Sequence, residues 1–163
     1  ARLDRVLFVV SASPPHKQGE FVASAEDRYD MVCAAIADES RFEASRIELD
    51  RDGPSYTVHT LRALADRYPG AIFYLIVGFD SLADLPNWHH AGEILDRARV
   101  LAVARPGHRT APASLQGRYE VLPFAERPES STDIRRRLET GVGLEDRIPS
   151  GALALIRERD IYG

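Results

Sequence analysis

A single cysteine, Cys33, occurs in the 163 residues. That scarcity excludes an intrachain disulfide and any multi-cysteine zinc site, and it fits a reducing compartment. No apolar run approaches the roughly 20 residues needed to span a bilayer. No charged stretch followed by an apolar one opens the chain, so neither a membrane partner nor a signal peptide is expected. There is no excess of positive charge: 21 Lys and Arg face 25 Asp and Glu, for a formal net charge of −4. This argues against a broad nucleic-acid surface and leaves a local phosphate site open. A Gly-rich loop ending in Gly-Lys-Ser/Thr is missing, which excludes a P-loop ATPase, and so is Gly-x-Gly-x-x-Gly, the usual dinucleotide fingerprint. Gly141-Val142-Gly143 is too short for that role and follows a helix. No nucleophile elbow, internal repeat or low-complexity tract is found. With 44% hydrophobic and 28% charged residues, what remains is an ordinary globular chain, read as one domain over residues 1–163 with a substantial core.

The hydrophobic pattern alternates strand and helix. Val6-Leu7-Phe8-Val9-Val10 reads as a strand buried on both faces. It runs into Ser13-Pro14-Pro15-His16-Lys17, where two prolines forbid helix and impose a stiff extended loop. Residues 24–39 read as a helix, with Ser24 and Asp27 spaced like a capping box; Arg28 could point to a site, but an exposed helical arginine is the commoner reading. A strand is expected over 42–49, a turn at Asp50-Arg51-Asp52-Gly53-Pro54, and a helix opened by Ser55-Tyr56-Thr57 and closed at Tyr68. Ile72 to Val77 is the strongest buried strand and leads directly into Gly78-Phe79-Asp80. A helix over 91–97 feeds a strand over 100–104, which ends in Arg105-Pro106-Gly107. A short last strand, 119–122, precedes Ser130-Ser131-Thr132-Asp133-Ile134-Arg135, with helix from Ile134, and the final helix spans 151–159.

This alternation argues for a Rossmann-like α/β fold, a doubly wound parallel sheet. In such sheets ligands bind at the carboxyl ends of strands. The chemically unusual residues stand at those ends: His16 and Lys17, Gly78 and Asp80, Arg105, and, after a short link, Ser131, Thr132 and Arg135. Hydroxyls at a helix start can cap it, or the helix's free N–H groups and dipole can receive a phosphate. Arginine in the first turns opposes the dipole and calls for an anion to grip. The lone Trp88 stands in a polar loop beside Pro86, Asn87, His89 and His90, where a stacking role competes with a core role. His89 and His90, being adjacent, make a poor metal pair, and no metal-ligating set is assigned. Several cations, helix starts, an acid and an aromatic together suit a polyphosphate joined to a flat ring.

The ordered set of motifs resembles bacterial nicotinate-nucleotide adenylyltransferase, of the nucleotidyltransferase superfamily. The matching pieces are Pro14-Pro15-His16-Lys17, Gly53-Pro54-Ser55-Tyr56-Thr57 and Gly78-Phe79-Asp80-Ser81-Leu82. They continue with Leu85-Pro86-Asn87-Trp88, Ala104-Arg105-Pro106-Gly107 and Ser130-Ser131-Thr132-Asp133-Ile134-Arg135. The resemblance implies transfer of AMP from ATP to nicotinate mononucleotide in NAD biosynthesis, with ATP as substrate and Mg²⁺ on its triphosphate. It implies that Ser131, Thr132 and Arg135 hold ATP phosphates, with His16 and Lys17 approaching from across the cleft; His16, Lys17 and Arg135 would form the catalytic set. Gly78, Asp80 and Arg105 would line the nucleotide pocket, Asp80 holding a ribose. Trp88 would stack on the nicotinate ring, and backbone N–H groups around Thr57 and His89 would receive its carboxylate. A cytoplasmic enzyme with small-molecule partners is implied, and a homo-oligomer is compatible with it. A pantetheine-phosphate adenylyltransferase of the same superfamily, or a non-catalytic nucleotide-binding module, stands as the alternative.

Two features depart from the family pattern. The family opens with a strand, a Gly-rich turn bearing Thr-Phe-Asp-Pro, and a His-x-Gly-His helix start. None of it occurs here; the five histidines are His16, His59, His89, His90 and His108. The chain starts abruptly before a strand, which reads as an internal start, so the sheet is expected to lack its first central strand and the chain as given to turn over little. Glu129 stands where the family places an apolar residue before Ser-Ser-Thr, and a carboxylate there would repel phosphates unless turned outward.

Overall fold

Val6–Val9, a run of branched and aromatic side chains, forms strand β1 in the computed structural model, which describes residues 2–12, 23–103, 111–123, 131–140 and 143–162. The chain falls into two compact units: Ala1–Ser55 with Glu129–Gly163, and Tyr56–Pro128. In the first unit β1 pairs in parallel with β2, Phe42–Ser45, placing Val6 opposite Phe42 and Val9 opposite Ser45. The crossover that parallel pairing requires is helix α1, Ala25–Ile36. It starts as the Ser24/Asp27 spacing predicts. Ser24 Oγ accepts from the Asp27 N–H at 3.0 Å and donates to the Asp27 carboxylate at 2.6 Å. Strand β2 stops at Ser45, short of the expected 42–49. There Arg46 accepts at its carbonyl from the Asp50 N–H at 2.9 Å, and the chain turns.

Helices α5, Ser131–Thr140, and α6, Ser150–Arg159, complete this unit. Helix α6 lies along α1. At one end, a Cβ added to Gly151 would come within 2.7 Å of the Ala34 carbonyl oxygen. At the other, Arg159 reaches Asp27 at 3.0 Å and Asp30 at 2.7 Å. The start of α6 thus meets the end of α1 and the reverse, so the pair runs antiparallel. Gly151 is read from sequence only as a helix start; its lack of a side chain is what admits the close approach.

The second unit holds α2, Thr57–Arg67; β3, Phe73–Gly78; α3, Phe79–Asp84; a 3-10 turn, Leu85–Asn87; α4, Ala91–Arg97; β4, Ala98–Val103; and β5, Tyr119–Leu122. The sheet order is β3-β4-β5, all parallel. Central β4 is covered on both faces: Val100, Leu101 and Ala102 are at most 1% exposed. The strongest burial is expected at 72–77 instead. The structure corrects it: Ile72 is 66% and Ile76 43% exposed. The reason is position, because β3 pairs with β4 alone among the described residues and is an edge strand of this sheet. Val58, Leu61 and Leu64 turn inward from α2, as their helical spacing predicts. β1 departs likewise from the expected two-sided burial, its four residues being half-buried. Among the described residues β1 pairs with β2 alone, so the described strands form two parallel sheets.

α2 and α4 are joined by charge. The Arg62 guanidinium grips both oxygens of Glu93, one at 2.9 Å, and Arg97 donates to the same carboxylate at 2.6 Å. Hydrogen bonds from Arg62 and then Arg97 hold the Glu93 carboxyl down to about 2, below its ordinary 4.5. The folded state therefore favours the ionised form. Its stabilisation is complete above the ordinary carboxylate range and is lost as pH falls toward about 2. Glu93→Gln is expected to unfold at lower denaturant than the parent at neutral pH. The gap should narrow as pH is lowered from about 5 to about 3, read by urea titration across that range.

Candidate active site

Each strand end places chemistry where the chain must turn. β3 ends at Gly78, which is the N-cap of α3, and no side chain caps that helix. An added Cβ at Gly78 would meet nothing within 4 Å, so the space beside this backbone is open. Asp80 is exposed in the first turn of α3.

The start of α2 lies in the same unit. Its N-cap is Tyr56, with extended backbone and no side-chain cap. Thr57 is the first helical residue, and the Tyr56 carbonyl accepts from the His59 N–H at 3.0 Å. Trp88 packs on the core without being enclosed by it. It is half-buried and packs against the two apolar clusters of this unit, one built on Phe79, Leu82 and Leu85, the other on Val58, Leu61 and Ile94. His89 and His90 follow it and are exposed. His90 adopts the left-handed conformation, φ 54°, and caps the start of α4. The Tyr56 and His89 rings stack, centroids 4.3 Å apart and planes 30° apart, while His59 meets both edge-on at 5.6 and 5.7 Å. Thr57, Trp88 and His89 are thereby brought to one surface. Among the described residues no group of three or more His, Cys, Asp or Glu side chains is placed to hold a metal.

In the other unit, α5 starts at Ser131, three residues earlier than Ile134. Ser131 and Thr132 therefore occupy its first turn, where free N–H groups point outward. The arginines begin in the second turn: Arg135 and Arg136 are exposed, and Arg136 pairs with Asp133 at 3.2 Å. His16, Lys17, Arg105 and Glu129 lie outside the described residues.

One pair of contacts at the end of β1 carries no sequence signature. The carbonyl of Ser11 accepts from Arg28 Nη1 at 2.7 Å, and the N–H of Ala12 donates to Ser55 Oγ at 3.1 Å. These are the two polar ends of one peptide group. Held from both sides, that group fixes the direction in which the chain leaves β1. Arg28, read as an exposed helical arginine, is instead half-buried, and burial lowers its pKa. Ser55, expected among the hydroxyls opening α2, serves β1 instead. Partners 17 and 43 residues away leave no periodic trace in a sequence.

Parallel strands, an open glycine at a strand end, hydroxyl-bearing helix starts and an aromatic shelf define an α/β nucleotide-handling protein. Residues 1–137 match the model of the cytidylyltransferase-like family. A probable nicotinate-nucleotide adenylyltransferase of Thermus thermophilus is 43% identical over 98% of this chain and 84% of its own length. One from Geobacillus thermodenitrificans is 38% identical over 99% and 74%. The Plasmodium falciparum nicotinic acid mononucleotide adenylyltransferase, solved with NaAD, shares the fold with TM-score 0.73 at 15% identity, covering 98% of this chain and 83% of that one. The chain belongs to the cytidylyltransferase-like family and, within it, to the nicotinate-nucleotide adenylyltransferases.

Replacing Arg28 by Met removes a charge-assisted donor from a partly buried carbonyl. The expected cost is roughly 1–3 kcal/mol in folding stability. A denaturant midpoint unchanged from the parent would show that the contact contributes nothing.

Proposed function

We propose that this chain transfers AMP from ATP to nicotinate mononucleotide, forming deamido-NAD and pyrophosphate. The observation that carries the reading is the surface around Trp88, where a half-buried indole adjoins the uncapped start of α2. A flat ring and a carboxylate would find a platform and N–H donors together there. Trp88 would stack on the nicotinate ring, and the N–H groups around Thr57 and His89 would receive its carboxylate. Gly78 would admit the nucleotide close to the backbone, and Asp80 would hold a ribose. Ser131, Thr132 and Arg135 would bind the triphosphate at the start of α5, with His16, Lys17 and Arg105 as further cations toward it. We read the 163 residues as one catalytic domain.

In the reaction a phosphate oxygen of the mononucleotide attacks the α-phosphorus of ATP. A new P–O bond forms, the bond to the β-phosphate bridge breaks, and pyrophosphate leaves in line. The protein's share is positioning and neutralising charge on the phosphates. Mg²⁺ would ride on the triphosphate, held by phosphate oxygens and water, so it would arrive with the nucleotide. Lone Cys33 and an ATP-dependent reaction fit a cytoplasmic setting.

Titration of the chain with nicotinate mononucleotide, nicotinamide mononucleotide and phosphopantetheine tests the reading. Nicotinate mononucleotide is expected to bind tightest, and preference for phosphopantetheine would overturn the assignment. Turnover by these 163 residues alone is expected to be slow, since no His-x-Gly-His occurs among them; brisk pyrophosphate release would show that such a pair is dispensable. Trp88→Ala should weaken nicotinate mononucleotide while leaving ATP nearly unchanged. Equal losses for both would remove the stacking role.

A further inference from the structure

The start of α2 and the loop before α4 belong to separate elements, with the whole of β3 and α3 between them in sequence. They are held together at the surface by rings. His89 is met on one face by Tyr56 at 4.3 Å, and edge-on by His90 at 4.2 Å and His59 at 5.7 Å. Tyr56 and Trp88 are both packed against the apolar cluster of Val58, Leu61, Ile94 and Ala98, so one partner of the stack is anchored in the core. His89 itself is exposed, and its neighbour His90 sits in a left-handed conformation that costs a non-glycine residue energy. An exposed loop in a strained conformation keeps one geometry only if something outside it fixes that geometry. Backbone bonds tie its ends, the Trp88 N–H donating to the Leu85 carbonyl and the Ala91 N–H to the Trp88 carbonyl, both at 3.1 Å, and Tyr56 is the ring stacked on it from the start of α2.

We propose that Tyr56 is a positioning residue for the pyridine mononucleotide: its ring, stacked on His89, locks the loop 88–90 to the start of α2. The inference rests on the reading of this surface given under the proposed function. The lock sets the distance between the N–H groups around Thr57 and His89, which would otherwise vary with the loop. The phenol oxygen plays no part, because the contact is ring on ring. Stacked rings of this kind contribute modestly and depend on shape rather than on the hydroxyl. Tyr56 thus acts on the affinity for the ring-bearing substrate and not on that for ATP.

The test uses the full 163-residue chain and calorimetric titration with nicotinate mononucleotide and, separately, ATP. Tyr56→Leu keeps an apolar side chain on the core but removes the stack. It is expected to weaken nicotinate mononucleotide by about 3- to 10-fold and ATP by less than about 2-fold, in line with the modest worth of a ring pair. Tyr56→Phe should restore parent affinity. His89→Ala removes the other ring and leaves the backbone; combined with Tyr56→Leu it should cost no more than either change alone, because both delete one contact. Parent-like binding by Tyr56→Leu, equal weakening of both ligands, failure of Tyr56→Phe to rescue, or additive losses in the double variant would each overturn the proposal while leaving the proposed function standing. A parent chain that binds no nicotinate mononucleotide would overturn both.

Discussion

Parallel pairing is the constraint on which the rest of this structure depends. Two parallel strands cannot be joined by a tight turn; the chain must cross back over the sheet, and a helix is the usual means. Within each sheet, therefore, every strand delivers its carboxyl end to the same edge, and every crossover begins there. β1 arrives at Ser11 and Ala12, and β3 at Gly78 and Asp80. These ends carry the unusual residues because that edge is free of the ladder's own demands. The strands themselves are short, four to six residues, and their bonds alone would not hold so exact a layout. The helices supply what is missing: α6 seats against α1 through Gly151 and Arg159, and α2 is tied to α4 through Arg62 and Glu93.

The parts of the fold legible in the sequence are those written in local periodicity. β5 and α4 fall where the pattern places them, and α1 begins at its Ser24 cap. Periodicity says which faces are apolar, but not which strand is central. For that reason the pattern reads 72–77 as the most buried strand, whereas β4 is the covered strand and, among the described residues, β3 stands at the sheet's edge with Ile76 exposed. Residue type alone could likewise not show that Ser55 serves β1 rather than α2, or that Arg28 turns inward. Both depend on a partner far along the chain.

The candidate site is legible for a different reason: its residues break local rules. A glycine at the end of a strand, hydroxyls ahead of arginines and a tryptophan in a polar loop are poor choices for folding and good ones for binding. Gly78 has open space beside it, and Trp88 is half-buried rather than enclosed. Tyr56 and His59 break no rule and give no signal. A tyrosine before a helix and a histidine in its first turn are unremarkable until the fold brings His89 against them.

Helix starts show why no single feature identifies this surface. α1 satisfies its own first turn through Ser24, whereas α2, α4 and α6 have no side-chain cap. An uncapped start is thus common in this chain and by itself selects no ligand. What distinguishes α2 is its company: an anchored tyrosine at the N-cap, a loop stacked onto it, and an indole beside the same core cluster. Free N–H groups give an anion somewhere to bind, while in the proposed function the rings would decide what the anion must be attached to. A phosphate alone would use the first and ignore the second. In the proposed function a pyridine carboxylate would use both, and the stack of Tyr56 on His89 would keep the two at a fixed separation.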